Sequence, residues 1–241
     1  MTRSMTVLLL SLLANDSAVI GVGGTVESFD TSTKVEMTSE HIQVDFAQRR
    51  VEADFVFRNT GDATSVMMGF PEEGAGDVQP PTPAEPSYFK SFESWVDGVP
   101  AKTELWKGDS DEMFYKQWWT KTVDFPPGAI RRIRNVYVTQ FSSDVMTLER
   151  MTYVLGTGKA WHGKIGSAKV VFDIGGVPSG DLVSANPKFT RRSGHKLVWE
   201  FSEFEPPEAT FSISVGRFAR DSVFQPKPGE NIPGLGVILR R

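Results

Sequence analysis

The sequence predicts an all-β fold: an antiparallel β-sandwich, expected as one or two packed β subdomains with at most one or two short helices. Three observations carry this. Apolar and polar residues alternate in run after run, which is the period of a strand with one buried and one wet face. The runs are separated by residues that suit turns, at Asn59-Thr60-Gly61-Asp62, Asp97-Gly98 and Pro126-Pro127-Gly128. Apolar residues at helical spacing are singled out in one segment, Phe141 to Thr152.

Taken in order, Ile42, Val44 and Phe46 alternate with Gln43 and Asp45, and Val51, Ala53, Phe55 and Phe57 alternate with Glu52, Asp54 and Arg58. After the turn at 59–62, Val66, Met68 and Phe70 return on the same period. The Phe- and Met-rich stretch 55–72 therefore reads as the second and third strands of an antiparallel meander, with its Phe and Met residues in the core. Pro71 ends that strand, and residues 73–87 form a Pro-, Gly- and Ala-rich loop of the length that often carries function. Asp97-Gly98 joins two β-like runs as a hairpin. Further strands are expected at 130–141, 169–174, 196–201 and 210–215. Segment 141–152 reads as a short helix or a strand and marks the natural division of the chain. The expected organisation is a signal peptide at 1–14, an N-terminal β-sandwich region at 15–145, a C-terminal β region packed on it at 146–225, and an irregular tail at 226–241.

The first residues follow a different logic. Arg3 precedes the apolar run from Met5 to Ala14, and polar Asn15-Asp16-Ser17 follows. This is the layout of a secretory signal, with cleavage expected near Ala14. The run is shorter than the roughly 20 apolar residues a membrane-spanning helix needs. The expectation is an exported protein, periplasmic or extracellular, with no transmembrane segment in the mature chain. A net charge of −4 argues against a nucleic-acid partner, which calls for a basic surplus. The absence of cysteine excludes thiolate catalysis, Cys-ligated zinc and a disulfide framework.

Several stretches occur in a telling order: "ANDS" at 14–17, "GG" at 23–24, "VEMTSEHIQV" at 35–44, "FVFRNTGDATSVMMGFPE" at 55–72, "DFPPG" at 124–128, "YVLGTGKAWHGKIGSAKV" at 153–170 and "VWEFSEFEP" at 198–206. Together they resemble the DUF4424 family, bacterial exported proteins of uncharacterised function, from about Asn15 to about Phe218. The resemblance implies an exported, mostly β protein with its signal cut just before Asn15. It brings no catalytic residues.

Of the three histidines, none sits at metal-ligand spacing; His162, between Trp161 and Gly163, is the one retained as a binding candidate. No Gly-x-Ser-x-Gly elbow is present. The pairs Glu72/Glu73 and Glu203/Glu205 could serve as an acid/base pair as in glycosidases, but their neighbours are turn and strand residues, so they read as solvated loops. Asp109, Asp111 and Glu112 form an acidic stretch that could offer oxygen ligands to calcium but lacks the rest of a calcium hand, so no metal site is assigned. Aromatic residues give the best clue. Tyr115, Trp118 and Trp119 crowd beside that acidic stretch, and the two tryptophans must point to opposite faces of a strand. Tyr115, Trp118, Trp119, Trp161 and His162 are the candidate binding residues. No catalytic residue and no cofactor is expected. The function these readings favour is non-catalytic binding in the cell envelope, with an envelope protein or polysaccharide as partner. The alternative is an envelope hydrolase of carbohydrate or peptide bonds.

Overall fold

The structure, a computed structural model, describes residues 22–24, 27–28, 34–73, 82, 86–107, 117–141, 148–208 and 210–241. Its strands are β1 (Val22–Gly24), β2 (Glu27–Ser28), β3 (Val35–Asp45), β4 (Arg50–Asn59), β5 (Thr64–Glu73) and β6 (Ser91–Val96). Then come β7 (Val99–Pro100), β8 (Glu104–Lys107), β9 (Gln117–Phe125), β10 (Ile130–Val138), β11 (Glu149–Val154) and β12 (Ile165–Asp173). The last are β13 (Leu182–Asn186), β14 (Arg191–Ser193), β15 (Lys196–Phe204), β16 (Ser212–Phe218), β17 (Asn231–Ile232) and β18 (Gly236–Arg240). A single 3-10 turn, Gly156–Ala160, is the only helical element among the described residues, and none there is long and apolar enough to cross a membrane.

The strands form two sheets. One runs β17-β18-β13-β16-β11-β1-β5-β9-β8, with β2 also on β5; the other runs β14-β15-β12-β3-β4-β10-β6-β7. Their apolar faces meet in one core, where Phe57 of β4 lies 6.5 Å from Phe125 of β9 and Phe70 of β5 lies 5.3 Å from Tyr137 of β10. The alternation read from the sequence is the burial pattern observed: Val51, Ala53, Phe55 and Phe57 are buried on β4, and Val66, Met68 and Phe70 on β5. Met67, between them, faces outward and is exposed.

The meander assigned to 55–72 is corrected by this topology. β4 pairs with β3 and β10, whereas β5 pairs with β1, β2 and β9, so the chain crosses from one sheet to the other at the 59–63 turn. Alternation marks which face of a strand is buried, but two strands that face each other across a core show the same alternation as two that lie side by side. Asn59 fixes the crossing. Its Nδ2 donates to the carbonyls of Asp62 (2.7 Å), Phe125 (2.9 Å) and Pro126 (3.1 Å), and its Oδ1 accepts from Gly61 N–H (2.9 Å). This ties the turn leaving β4 to the turn leaving β9, which crosses between the sheets in the opposite direction.

The two halves of the chain share both sheets. β3 pairs in parallel with β12 and β1 with β11, each joining a strand before residue 145 to one after it. Long connections permit such parallel pairs within an otherwise antiparallel sandwich. Residues 226–241 depart from the expected irregular tail: β18 pairs with β13 and closes a short hairpin with β17. The Asp97-Gly98 hairpin forms with both residues at positive φ, 51° and 82°, as its turn type requires. In the segment read as helix or strand, Glu149–Val154 is a strand, and 142–147 lie outside the described residues.

Candidate functional site

Both sheets end on the same side of the sandwich, with β9 and edge strand β8 in one and β6 and edge strand β7 in the other. Alternation along β9 turns Gln117, Trp119, Lys121, Val123 and Phe125 toward the opposite sheet, across from Glu72, Phe70, Met68, Val66 and Thr64 of β5. Along β6 the same rule turns Phe92 and Ser94 inward, level with Tyr137 and Asn135 of β10. Trp119 and Phe92 thus meet from opposite sheets, their rings stacked with centroids 5.0 Å apart and planes 8° from parallel. Phe89 continues the stack, 6.1 Å from Phe92 and 4.3 Å from Tyr137.

This aromatic wall lines a groove of about 580 Å³, completed by Pro86, Ser87, Lys90, Ser91 and Gln140. Its size falls in the range of small-molecule sites, and its lining is the usual mixture of aromatic surface with a few polar groups.

Behind the wall lies Glu72, 0% exposed. Its carboxylate accepts from the Trp119 indole N–H, the Tyr88 N–H, the Phe89 N–H (3.3 Å) and the Gln117 side-chain amide (3.2 Å). Ser87 Oγ lies 2.9 Å and 3.1 Å from its two oxygens. One side chain therefore holds both the 87–89 segment and Trp119 in place. Burial pushes the Glu72 carboxyl above its ordinary value, against those hydrogen bonds, which pull it down.

A second buried polar cluster sits further along the same face. Lys121, 8% exposed, places Nζ 3.4 Å from Asn135 Oδ1, which also accepts from Ser94 Oγ (2.7 Å). Burial lowers the Lys121 amine to about 8.

The sequence candidates separate in space. Trp119 lies in the groove. Trp118 points to the other face of β9, where it is cross-strand from Trp106 and Pro71 and only 2% exposed, so its ring is not offered to a ligand. Trp161 is buried against Phe57, with ring centroids 4.4 Å apart. Phe57 is six residues along β4 from Val51, the partner of Tyr137, which puts Trp161 about 20 Å from the groove along the strands. His162 is exposed in the turn beside it. Tyr115, Asp109, Asp111 and Glu112 lie outside the described residues. Among the described residues no group of three or more His, Asp or Glu side chains could hold a metal ion.

Glu72 is the residue sequence reading misplaced, as a solvated loop carboxylate. The signal was present: Val66, Met68 and Phe70 are inward, and the next residue on that period is Glu72. Lys121 follows from Val123 and Phe125 in the same way. Phe89, Phe92 and Lys90 carried no comparable local signal.

The described residues thus place an aromatic groove, backed by the hydrogen-bonded carboxylate of Glu72, between the two sheets of a β-sandwich. Residues 14–108 match the family model of the domain of unknown function DUF4424, the family whose resemblance the sequence carries. The fold is similar to the crystal structure of a protein from Legionella pneumophila proposed to bind nutrients. The two share 21% identity and a TM-score of 0.64, over 85% of this chain and 73% of that one. A yeast leukotriene A4 hydrolase aligns at a TM-score of 0.40 and 8% identity, over 78% of this chain and 30% of that one, too slight a likeness to bear on function. No curated protein sequence matches the chain.

Proposed function

We propose that this chain is an exported, non-catalytic binding protein of the cell envelope that takes its ligand in the groove between β6 and β9. The observation that carries the reading is the fixed aromatic wall: Trp119 and Phe92 are stacked across the two sheets, and Glu72 anchors Trp119 from behind. A preformed wall spares a ligand the cost of ordering its own site. The proposed nutrient-binding role of the Legionella protein of similar fold agrees with it. So does the N-terminal run from Met5 to Ala14, which has the layout of an export signal.

A hydrolase of the glycosidase type would need a pair of accessible carboxylates converging on a cleft. One using His162 would need that residue in the groove, whereas it lies in an exposed turn about 20 Å away. Glu72 is enclosed and fully engaged, and Glu203 and Glu205 are simply exposed.

Isothermal titration of the chain from Asn15 with small nutrients, oligosaccharides and peptidoglycan fragments tests the proposal. The expected result is saturable binding of one class that Trp119→Ala weakens at least tenfold, the scale of a central aromatic contact in a binding site. Binding that Trp119→Ala and Phe92→Ala both leave unchanged would move the site elsewhere.

A further inference from the structure

Glu72 raises a question of charge that its hydrogen bonds do not answer. Every donor it accepts from is neutral: a hydroxyl, two backbone amides, a carboxamide and an indole. No cation among the described residues pairs with it. Lys121 is on the same face of the neighbouring strand but four residues beyond Gln117, about 13 Å along it, and is engaged with Asn135. Hydrogen bonds satisfy the oxygen lone pairs and leave the negative charge in place. A buried carboxylate without a counter-charge is costly, and a cation brought near it recovers part of that cost.

The side of Glu72 that faces the groove is the aromatic wall. Trp119 and Ser87 each touch Glu72 and each line the groove. An indole whose N–H donates to an anion gains electron density on its ring, which strengthens the attraction of its face for a cation. Phe92 and Phe89 add two further π faces.

One lining residue opposes this, Lys90. It is exposed, so its ammonium extends into water, where charge is strongly screened. Glu72 acts through protein, where the same charge is felt several-fold more strongly. The other buried charge on this face, Lys121, is engaged with Asn135 and does not line the groove. Glu72 is hydrogen-bonded to two lining residues, Trp119 and Ser87, so the buried anion sets the sign of the site.

We infer that the groove binds an organic cation, a small molecule carrying an amine or quaternary ammonium group, which lies against Trp119 and Phe92 as the missing counter-charge of Glu72. This rests on the groove being the ligand site and adds the chemistry of its ligand.

Matched ligands that differ only in charge test it. Choline is compared with its neutral isostere 3,3-dimethylbutan-1-ol, and phenethylamine with phenethyl alcohol and with phenylacetate, by titration calorimetry on the chain from Asn15. The cation of each set is expected to bind roughly tenfold more tightly than its neutral partner, with the anion weakest, the scale of a desolvated cation–π contact. Glu72→Gln should remove the preference while leaving the neutral ligand's affinity in place, with circular dichroism reporting that the variant is folded. If that variant does not fold, the unmutated protein supplies the same test. Choline does not titrate, so its affinity should fall as acid protonates Glu72, while that of the neutral isostere stays level. Neutral ligands that bind as tightly as cations, or a preference that survives loss of the Glu72 charge, overturn the inference. Neutral binding that Trp119→Ala abolishes would leave the groove as a ligand site while removing its charge selectivity. Silence from every ligand would overturn the cation assignment and count against the groove as well.

Discussion

Trp119 and Phe92 stack face to face, 5.0 Å between centroids, although one belongs to β9 and the other to β6 of the opposite sheet. The contact closes the open side of the sandwich at the level of Tyr137 and turns two edge-proximal strands into one wall. Stacked aromatic pairs add to the area they bury, so the wall contributes to stability as well as to the groove.

Phe92→Ala is accordingly expected to cost roughly 2 kcal/mol, less than a fully buried Phe because the ring is half-exposed. Urea denaturation measures that cost, and the emission of Trp119, taken as the difference from Trp119→Phe, should shift to the red as its ring gains water. Unchanged emission would mean that Glu72 alone holds the indole.

Asn59 is expected to be among the most sensitive polar positions. Asn59→Ala strips the Phe125 and Pro126 carbonyls of their shared donor and the Gly61 N–H of its acceptor, at a cost of about 3 kcal/mol. Asn59→Asp keeps only the acceptor and should recover only part of the loss. A thermal melt of the two variants beside the parent decides this; equal stability in all three would show that the crossing turns hold themselves.

Lys121 predicts an alkaline rise in stability. Its folded value of about 8 lies below the ordinary 10.5, so between those values the unfolded chain binds the extra proton. Stability therefore climbs as pH rises through that window and is lowest below about 8, where the buried amine is charged. The gap corresponds to about 3 kcal/mol. Lys121→Met should raise stability at neutral pH by up to that amount and flatten the climb, as followed by denaturant midpoints from pH 7 to about 10.5. A parent protein with a flat profile would rule this out.

Trp161 and His162 lie about 20 Å from the groove along the strands. Trp161→Ala should destabilise by about 3 kcal/mol through lost packing on Phe57. His162→Ala should stay within about 0.5 kcal/mol of the parent, as exposed positions usually do. Neither should alter the affinity of a ligand held at Trp119, and a loss with His162→Ala in calorimetry would place a contact there after all.

Much of this was legible in the residues themselves. Strands β4 and β5 with their buried faces, and the Asp97-Gly98 hairpin, follow from period-two alternation and turn chemistry, both properties of neighbouring residues. That Trp118 and Trp119 part to opposite faces was legible too. Which of them meets a groove was not, because Trp118 is enclosed on the outer face and Trp119 is half-open on the inner one. The pairing of β4 with β5 was misread because alternation has no sign for whether the next strand lies beside or opposite.

The amino-acid sequence by itself determined the class of fold, the inward phase of each long strand and, by continuation of that phase, the burial of Glu72 and Lys121. Only the tertiary structure decided that the carboxylate of Glu72 would receive the indole of Trp119, 47 residues away, and that Phe92 would cover that indole from the other sheet. The physical reason is range. Alternation and turn preference act between residues adjacent in the chain, whereas the groove is made by contacts that exist only once two sheets have closed on a shared core.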